Sequence, residues 1–425
     1  MRTESDRVRG VAERLRSLGY AFVQTEVRIP DASRLRVDVL AWAADDTGEL
    51  LPRLAVEVKR GQRPEVALPV LAQVRAALGT SEHFVVTDEG WFAGSPGLRA
   101  VEPVDGPRPN AEARGELRSA SLATDLLRQR IWKDADRLRG QTGRLSSVFN
   151  EAVSVEYKQA AIETAAGDIV AVNPRALWQA RRAAWADMAQ RDRTAGTSTS
   201  PPVIASAIAS LVGERLGGAA VDPFCGSGSF LWALADRAAL EGRSIEAIGR
   251  DIDAGIIQTA SLIGQTAPSA VTFETGDAFT TPLPDADVVV TAPPMGLRLM
   301  EPCELQNGTS TRQAEVAAVD ICLRALKPGG RAVFQLAPGI TFQSQAEAYR
   351  AYLTTEYRVA ALIGCPSGSA FGTQIKTVLM VVDKAPAGET FVAQLSDDWE
   401  TQLAPDGAAM AAALAHIDGT LGGAR

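Results

Sequence analysis

Apolar and polar positions alternate in two different rhythms along this 425-residue chain, and the rhythm changes twice. Near the start, Val8, Val11, Ala12, Leu15 and Leu18 recur at spacings of three and four and stop at Gly19, the mark of an amphipathic helix ended by a glycine. Strand-like runs follow at 21–29, 35–43 and 53–59. A helical pattern covers 65–78, and His83-Phe84-Val85-Val86-Thr87 reads as a further strand. Residues 94–110 gather Gly94, Pro96, Gly97, Pro103, Gly106, Pro107 and Pro109, a linker composition. Residues 111–195 are helical in pattern. From 196 to 384, apolar runs at 219–222, 245–250, 270–274, 286–291, 331–336, 358–363 and 376–382 alternate with helical stretches. Seven strands interleaved with helices predict a doubly wound, largely parallel α/β sheet.

The expected organisation is therefore a smaller α/β domain over 1–100, a helical connector over 111–195, a Rossmann-like domain over 196–384 and a tail over 385–425. Composition changes little in this picture. Hydrophobic residues make up 46% and charged residues 22%, an ordinary globular balance. No apolar run approaches a membrane span, the first residues lack a signal-peptide pattern, and the cytoplasm is the expected location. The four cysteines have no C-x-x-C spacing, so neither a zinc site nor a disulfide framework is expected. Two histidines leave little room for a His base. A net charge of −8 speaks against wholesale coating of nucleic acid, while a local basic face remains open.

The chemistry concentrates after the run Ala219-Ala220-Val221, where Asp222-Pro223-Phe224-Cys225-Gly226-Ser227-Gly228 turns a strand into a helix. Gly226 and Gly228 let the backbone approach a ligand closely, and the helix start beyond them offers free N–H groups. Neither the dinucleotide fingerprint nor the Walker lysine is present. The stretch resembles motif I of class I S-adenosylmethionine (SAM) methyltransferases. On that resemblance Asp222, Phe224, Gly226 and Gly228 shape the cofactor site. Asp251 (Asp253 in reserve) ends the second strand where a carboxylate meets ribose hydroxyls, and Asp277 faces the adenine. Thr199, within Thr197–Pro202, closes over the methionine part.

The catalytic tetrapeptide departs from the family pattern. After Asp287–Thr291 come Ala292, Pro293, Pro294 and Met295, where adenine amino-methyltransferases carry N/D-P-P-Y/F. The prolines fix φ and stiffen the loop. Alanine supplies no side-chain acceptor for the target amine. Methionine packs on a base face but forgoes aromatic stacking of about 1–3 kcal/mol. A cofactor pocket with weakened chemistry is expected. The L-K-P-G-G turn at 326–330 and the order I-G-x-P-S…F-G-T-x-I…T over 363–377 look like the modification subunits of type I restriction-modification systems. The resemblance covers about 195–384 and implies an adenine-specific DNA methylase.

In the first domain, Asp38 and the run Glu57-Val58-Lys59 form a D…E-x-K pattern similar to the PD-(D/E)xK nuclease fold. Two carboxylates hold a hard divalent ion such as Mg2+ and the lysine stands beside the attacking water; Glu13 is a candidate further ligand. The resemblance implies DNA as a partner, in restriction-modification or phage defence. No segment looks like a target-recognition domain, which points to a separate specificity or defence-system subunit. Two other readings stay open at this point: an inactive pseudo-methyltransferase serving as scaffold or sensor, and RNA amino-methylation.

Overall fold

A computed structural model describes residues 3–29, 35–110, 115–142, 148–191, 199–371 and 374–419. The chain divides into two compact units, one of residues 1–141 and 158–180, the other of 142–157 and 181–425, so the segment 111–195 is shared between them.

The first unit is built on six strands, β1 (Phe22–Arg28), β2 (Arg36–Ala44), β3 (Leu50–Val58), β4 (Glu82–Val86), β5 (Trp91–Gly94) and β6 (Val101–Val104), adjacent in that order. All neighbours are antiparallel except β3 and β4, which run parallel and are joined through the helix Leu68–Leu78. That is the connection a parallel pair requires. The opening helix, Glu4–Ser17, starts on a Thr3/Asp6 capping box and buries Val8, Val11, Ala12 and Leu15 against Val39, Ala41 and Val56 of the sheet. The stretch 94–110 is not only a linker: it contributes β6. Pro103 is tolerated there because β6 is an edge strand. Two further short strands, β7 (Ala161–Glu163) and β8 (Ile169–Ala171), form a hairpin in this unit.

The second unit carries β9 (Gly218–Asp222), β10 (Ile245–Asp251), β11 (Val271–Thr275), β12 (Ala286–Thr291), β13 (Arg298–Glu304), β14 (Ser310–Gln313), β15 (Leu326–Leu336), β16 (Arg358–Cys365), β17 (Thr377–Asp383) and β18 (Phe391–Gln394). Eight of them make one sheet in the order β11-β10-β9-β12-β15-β17-β16-β18, while β13 and β14 pair separately as a hairpin. The run from β11 to β15 is parallel. The far side is mixed: β17 is antiparallel to both β15 and β16. The chain turns back on itself between β16 and β17, and the described residues of that connection hold no crossover helix. β18 was not among the expected strands. It adds parallel to β16 from within the tail.

Alternation along each central strand feeds two cores. Val288 and Val290 of β12 join one layer with the helices Pro202–Leu211 and Ser229–Glu241; Val289 joins the other with Val319 and Leu323. The helix Ala408–Gly419 completes the first layer through Met410, Ala413 and Ile417. It is also tied by charge. Arg331, with 0% side-chain exposure, places Nε 2.6 Å from Asp383 Oδ1 and Nη1 2.8 Å from Asp418 Oδ1. Among the described residues no helix is long and apolar enough to cross a membrane.

Candidate active site

The strand order reverses between β9 and β12, and a cavity of about 990 Å³ opens at the carboxyl ends of the strands there. Asp222 ends β9. Gly226 (φ +52°) and Gly228 (φ +86°) then turn the chain into the helix Ser229–Glu241. A Cβ on Gly228 would stand 2.8 Å from Trp232 Nε1 and 2.9 Å from Phe273 Cζ, so only glycine fits that turn.

Four carboxylates stand on the cavity wall, Glu301 and the three expected aspartates, Asp222, Asp251 and Asp277. Asp251 Oδ2 accepts from the Gly226 N–H at 3.0 Å and Oδ1 from the Asp253 N–H at 3.0 Å, which fixes the side chain across the glycine turn. Asp277 Oδ1 accepts from the Phe279 N–H at 2.9 Å. Asp222 is buried and accepts from Thr291 Oγ1 at 2.7 Å and from the Phe224 N–H at 3.2 Å. Burial pushes it up to about 7, although those two donors hold it down. Asp253 instead caps the helix Ala254–Gly264 through the Gly255 and Ile256 N–H groups. The rings of Phe224 and Phe279 lie 5.1 Å apart beside the acids. Thr199, also on the wall, is buried and accepts from Trp185 Nε1 at 2.9 Å, with Ser227 Oγ at 3.0 Å.

Ala292, Pro293, Pro294 and Met295 all face the same cavity. The loop they form is held from below by Glu315, whose carboxylate accepts from the Ala337 N–H at 2.8 Å and the Gly296 N–H at 3.4 Å. Burial raises Glu315 above the usual carboxylate range. The structure thus gathers Thr199, Asp222, Phe224, Gly226, Asp251, Asp277 and residues 292–295 around one space. Gly228 shapes the turn without lining it. Thr197, Ser198, Gly372 and Thr373 lie outside the described residues.

Sequence reasoning missed several residues of the wall. Phe279, Gln335 and Phe371 line it, as does the stretch Leu297–Cys303 that enters the β13–β14 hairpin. Gln335 carried a signal: it is the one polar side chain in the buried run Ala332–Leu336.

Against this geometry the comparisons can be set. The family model described as N-6 DNA Methylase matches residues 186–402, half of the chain and all eight strands of the second unit's large sheet. The chain belongs to the N-6 DNA methylase family. No curated relative matches the sequence. Among solved structures, a protein described as a class I S-adenosylmethionine-dependent methyltransferase from Listeria monocytogenes superposes with a TM-score of 0.56 at 18% identity, covering 70% of this chain and 98% of that one. This likeness establishes the fold. A protein described as the modification subunit of a type I restriction enzyme from Vibrio vulnificus gives 0.47 at 16% identity, over 54% of each chain. The methyltransferase subunit of a type I restriction-modification system from Streptococcus thermophilus gives 0.45 at 18%, over 52% of this chain and 51% of that one.

The cavity described above is lined by residues that all fall within the family match. Its acids, its glycine turn and its paired phenylalanines have the chemistry for a ligand with cationic centres, ribose hydroxyls and a flat base, and SAM is the cofactor of this class.

In the first unit, β2 and β3 bring Asp38, Glu57 and Lys59 together. Lys59 Nζ lies 2.5 Å from Glu57 Oε2 and 3.5 Å from Asp38 Oδ2. Asp38 Oδ2 also accepts from the Val58 N–H at 2.7 Å, and Glu57 Oε1 from the Asp38 N–H at 3.3 Å. Burial raises Glu57, against the pull of Lys59. Lys59 is raised in turn: burial disfavours its charge, and Glu57 and Asp38 outweigh that. The Mg2+ expectation finds no support in this donor set. The two carboxylates are closed by a lysine and by backbone N–H groups. Glu13 is exposed, and no group of three or more acids, histidines or cysteines fit for a metal occurs among the described residues.

Proposed function

We propose that the second unit methylates the exocyclic amine of adenine in DNA with SAM as donor. The observation that carries this reading is the single cavity shared by the acids at the ends of β9 and β10, Asp277 after β11, and the loop Ala292–Met295. Bound SAM supplies a methyl group on a positively charged sulfur. Asp251 accepts from the ribose hydroxyls and Asp277 from the adenine amine of the cofactor, with Phe224 and Phe279 against its ring. Asp222 and Thr199 serve the methionine end, where an ammonium stands. Pro293 and Pro294 hold the loop rigid beside the methyl, which favours a reactive orientation of the target. Met295 and Phe371 offer apolar faces to a base swung out of the helix, since an amine inside a duplex is out of reach.

Calorimetric titration with SAM tests the cofactor site. Labelled methyl transfer to unmethylated genomic DNA, followed by identification of the modified base, tests the reaction. N6-methyladenine is expected; N4-methylcytosine, or labelling of RNA alone, overturns the substrate assignment.

Ala292 favours a second reading, a protein that binds SAM without transferring its methyl and acts as a scaffold or sensor. SAM binding with no labelling of any nucleic acid would establish it. In either case we place the protein in a cytoplasmic restriction-modification or phage-defence system, with DNA and a separate specificity subunit as partners. The first unit is read as a PD-(D/E)xK-like module on the strength of Asp38, Glu57 and Lys59 meeting on adjacent strands. No step is assigned to it.

A further inference from the structure

Ala292 leaves the tetrapeptide without a side-chain acceptor, and the neighbouring strand carries a polar side chain at the same level. β12 and β15 pair in parallel up to Thr291 and Phe334, so the next residues, Ala292 and Gln335, stand side by side. They also share a face. Val290 and Val333 belong to the same core layer, Ala292 packs on that layer, and Gln335 follows Val333 by two. Both line the cavity, although Gln335 is only 1% exposed.

Which end of the amide faces the ligand is fixed by its partners. Gln335 Nε2 donates to the Ser369 carbonyl oxygen at 2.8 Å and to Thr377 Oγ1 at 3.4 Å. A carbonyl only accepts, so the nitrogen must face Ser369 and the oxygen must face elsewhere. Ser369 is held in turn, Oγ donating to the Pro366 carbonyl at 2.8 Å and lying 2.9 Å from Thr377 Oγ1. Among the described residues no donor reaches Gln335 Oε1. The residue is nearly buried, yet Oε1 is not among the buried polar atoms that lack a partner, so this oxygen is reachable from the cavity and open to a donor on water or a ligand.

We propose that Gln335 Oε1 accepts the hydrogen bond from the target amine that the side chain of Ala292 does not. The inference rests on the amino-methylation reading of this site. During transfer the amine lone pair forms the new N–C bond while the methyl's bond to sulfur breaks and sulfur keeps that electron pair. One proton then leaves the amine for water. An oxygen already hydrogen-bonded to an amine N–H turns the lone pair toward the methyl and stabilises the positive charge growing on nitrogen. Gln335 is a catalytic residue in this scheme, and Ser369 and Thr377 position it.

The test compares the intact wild-type protein with Q335M, A292N and the double variant Q335M/A292N. Each is scored for tritiated methyl transfer to unmethylated genomic DNA and, separately, for SAM affinity. Q335M is expected to lose roughly 100-fold in transfer, the usual cost of removing one transition-state hydrogen bond. SAM affinity should stay within about twofold of wild type, which a merely structural defect would not allow. A292N should restore transfer in the Q335M background to within about tenfold of wild type. Q335L serves in the same role should Q335M fail to fold. Undiminished transfer by Q335M overturns the inference and leaves the adenine reading standing. An inert wild type beside an active A292N overturns the inference together with the methylation reading, and favours the protein that binds SAM without transferring its methyl. If all four proteins bind SAM and none labels adenine, the reading itself falls and takes this inference with it.

Discussion

The two units each bring carboxylates together at strand ends, and they settle the charge in opposite ways. In the first, Lys59 sits within 3.5 Å of both Asp38 and Glu57, so the cluster supplies its own cation. In the second, Asp222, Asp251 and Asp277 meet only hydroxyl and N–H donors, and among the described residues no basic side chain pairs with them. Of these three only Asp222 is buried; Asp251 and Asp277 are half-exposed, and a carboxylate with no cation beside it is free to accept from a positively charged group. The difference teaches which cluster is open to a cationic ligand: the second carries no counter-charge of its own among the described residues, and the first does.

Four measurements break or sharpen that contrast. The largest effect is expected from Asp251→Ala, which removes both a ligand acceptor and the brace on Gly226. SAM affinity should fall roughly 100-fold, the scale of a charged hydrogen bond lost with its positioning. Affinity within threefold of wild type would show that Asp251 only braces the turn.

Next in size is Lys59→Met, which leaves the nearly buried Glu57 without its cation. Stability should drop by about 2–3 kcal/mol in urea unfolding, with SAM binding untouched. No loss would mean that Glu57 already stands protonated, and the contrast between the clusters would vanish.

The third concerns pH. Asp222 is raised to about 7, so it is mostly protonated at pH 6 and mostly ionised at pH 8. Its carboxylate favours a cationic ligand only when ionised. SAM affinity should therefore rise roughly tenfold from pH 6 to 8, and Asp222→Asn should flatten that part of the profile. The same shift opposes folding as pH climbs: a carboxyl held above its unfolded value loses stability between that value and about 7. An identical profile in the Asn variant would assign the titration to another group.

The smallest change is Asp277→Asn, which keeps an acceptor and deletes the charge. A weakening of about threefold is expected, within the range of a neutral hydrogen bond. A loss as large as that of Asp251→Ala would show that charge, not hydrogen bonding, governs this corner.

Much of this was legible because it is local. The seven strands from 219 to 382 announce themselves as apolar runs, and the acids on the cavity wall that were expected lie at their ends or, for Asp277, just beyond. What escaped depends on partners distant in sequence. β17 reads like any other strand, and only its neighbours show that it runs backwards. β18 is four residues long and gains its identity from pairing with β16. Gln335 was conspicuous as a polar residue in an apolar run, yet its bearing on Ala292 follows from the register of β12 against β15. In the first unit the D…E-x-K pattern foretold the meeting of three side chains. It did not foretell that the lysine would close on both acids.

The bond between Arg331 and Asp418 has a practical corollary for anyone dissecting the molecule. Every recognisable motif lies before Lys384, which invites trimming there. Such a fragment would strip the border strand from β16 and strand a guanidinium in the interior with half its anions gone. The stretch 385–419 looks dispensable on paper and is a keystone in three dimensions.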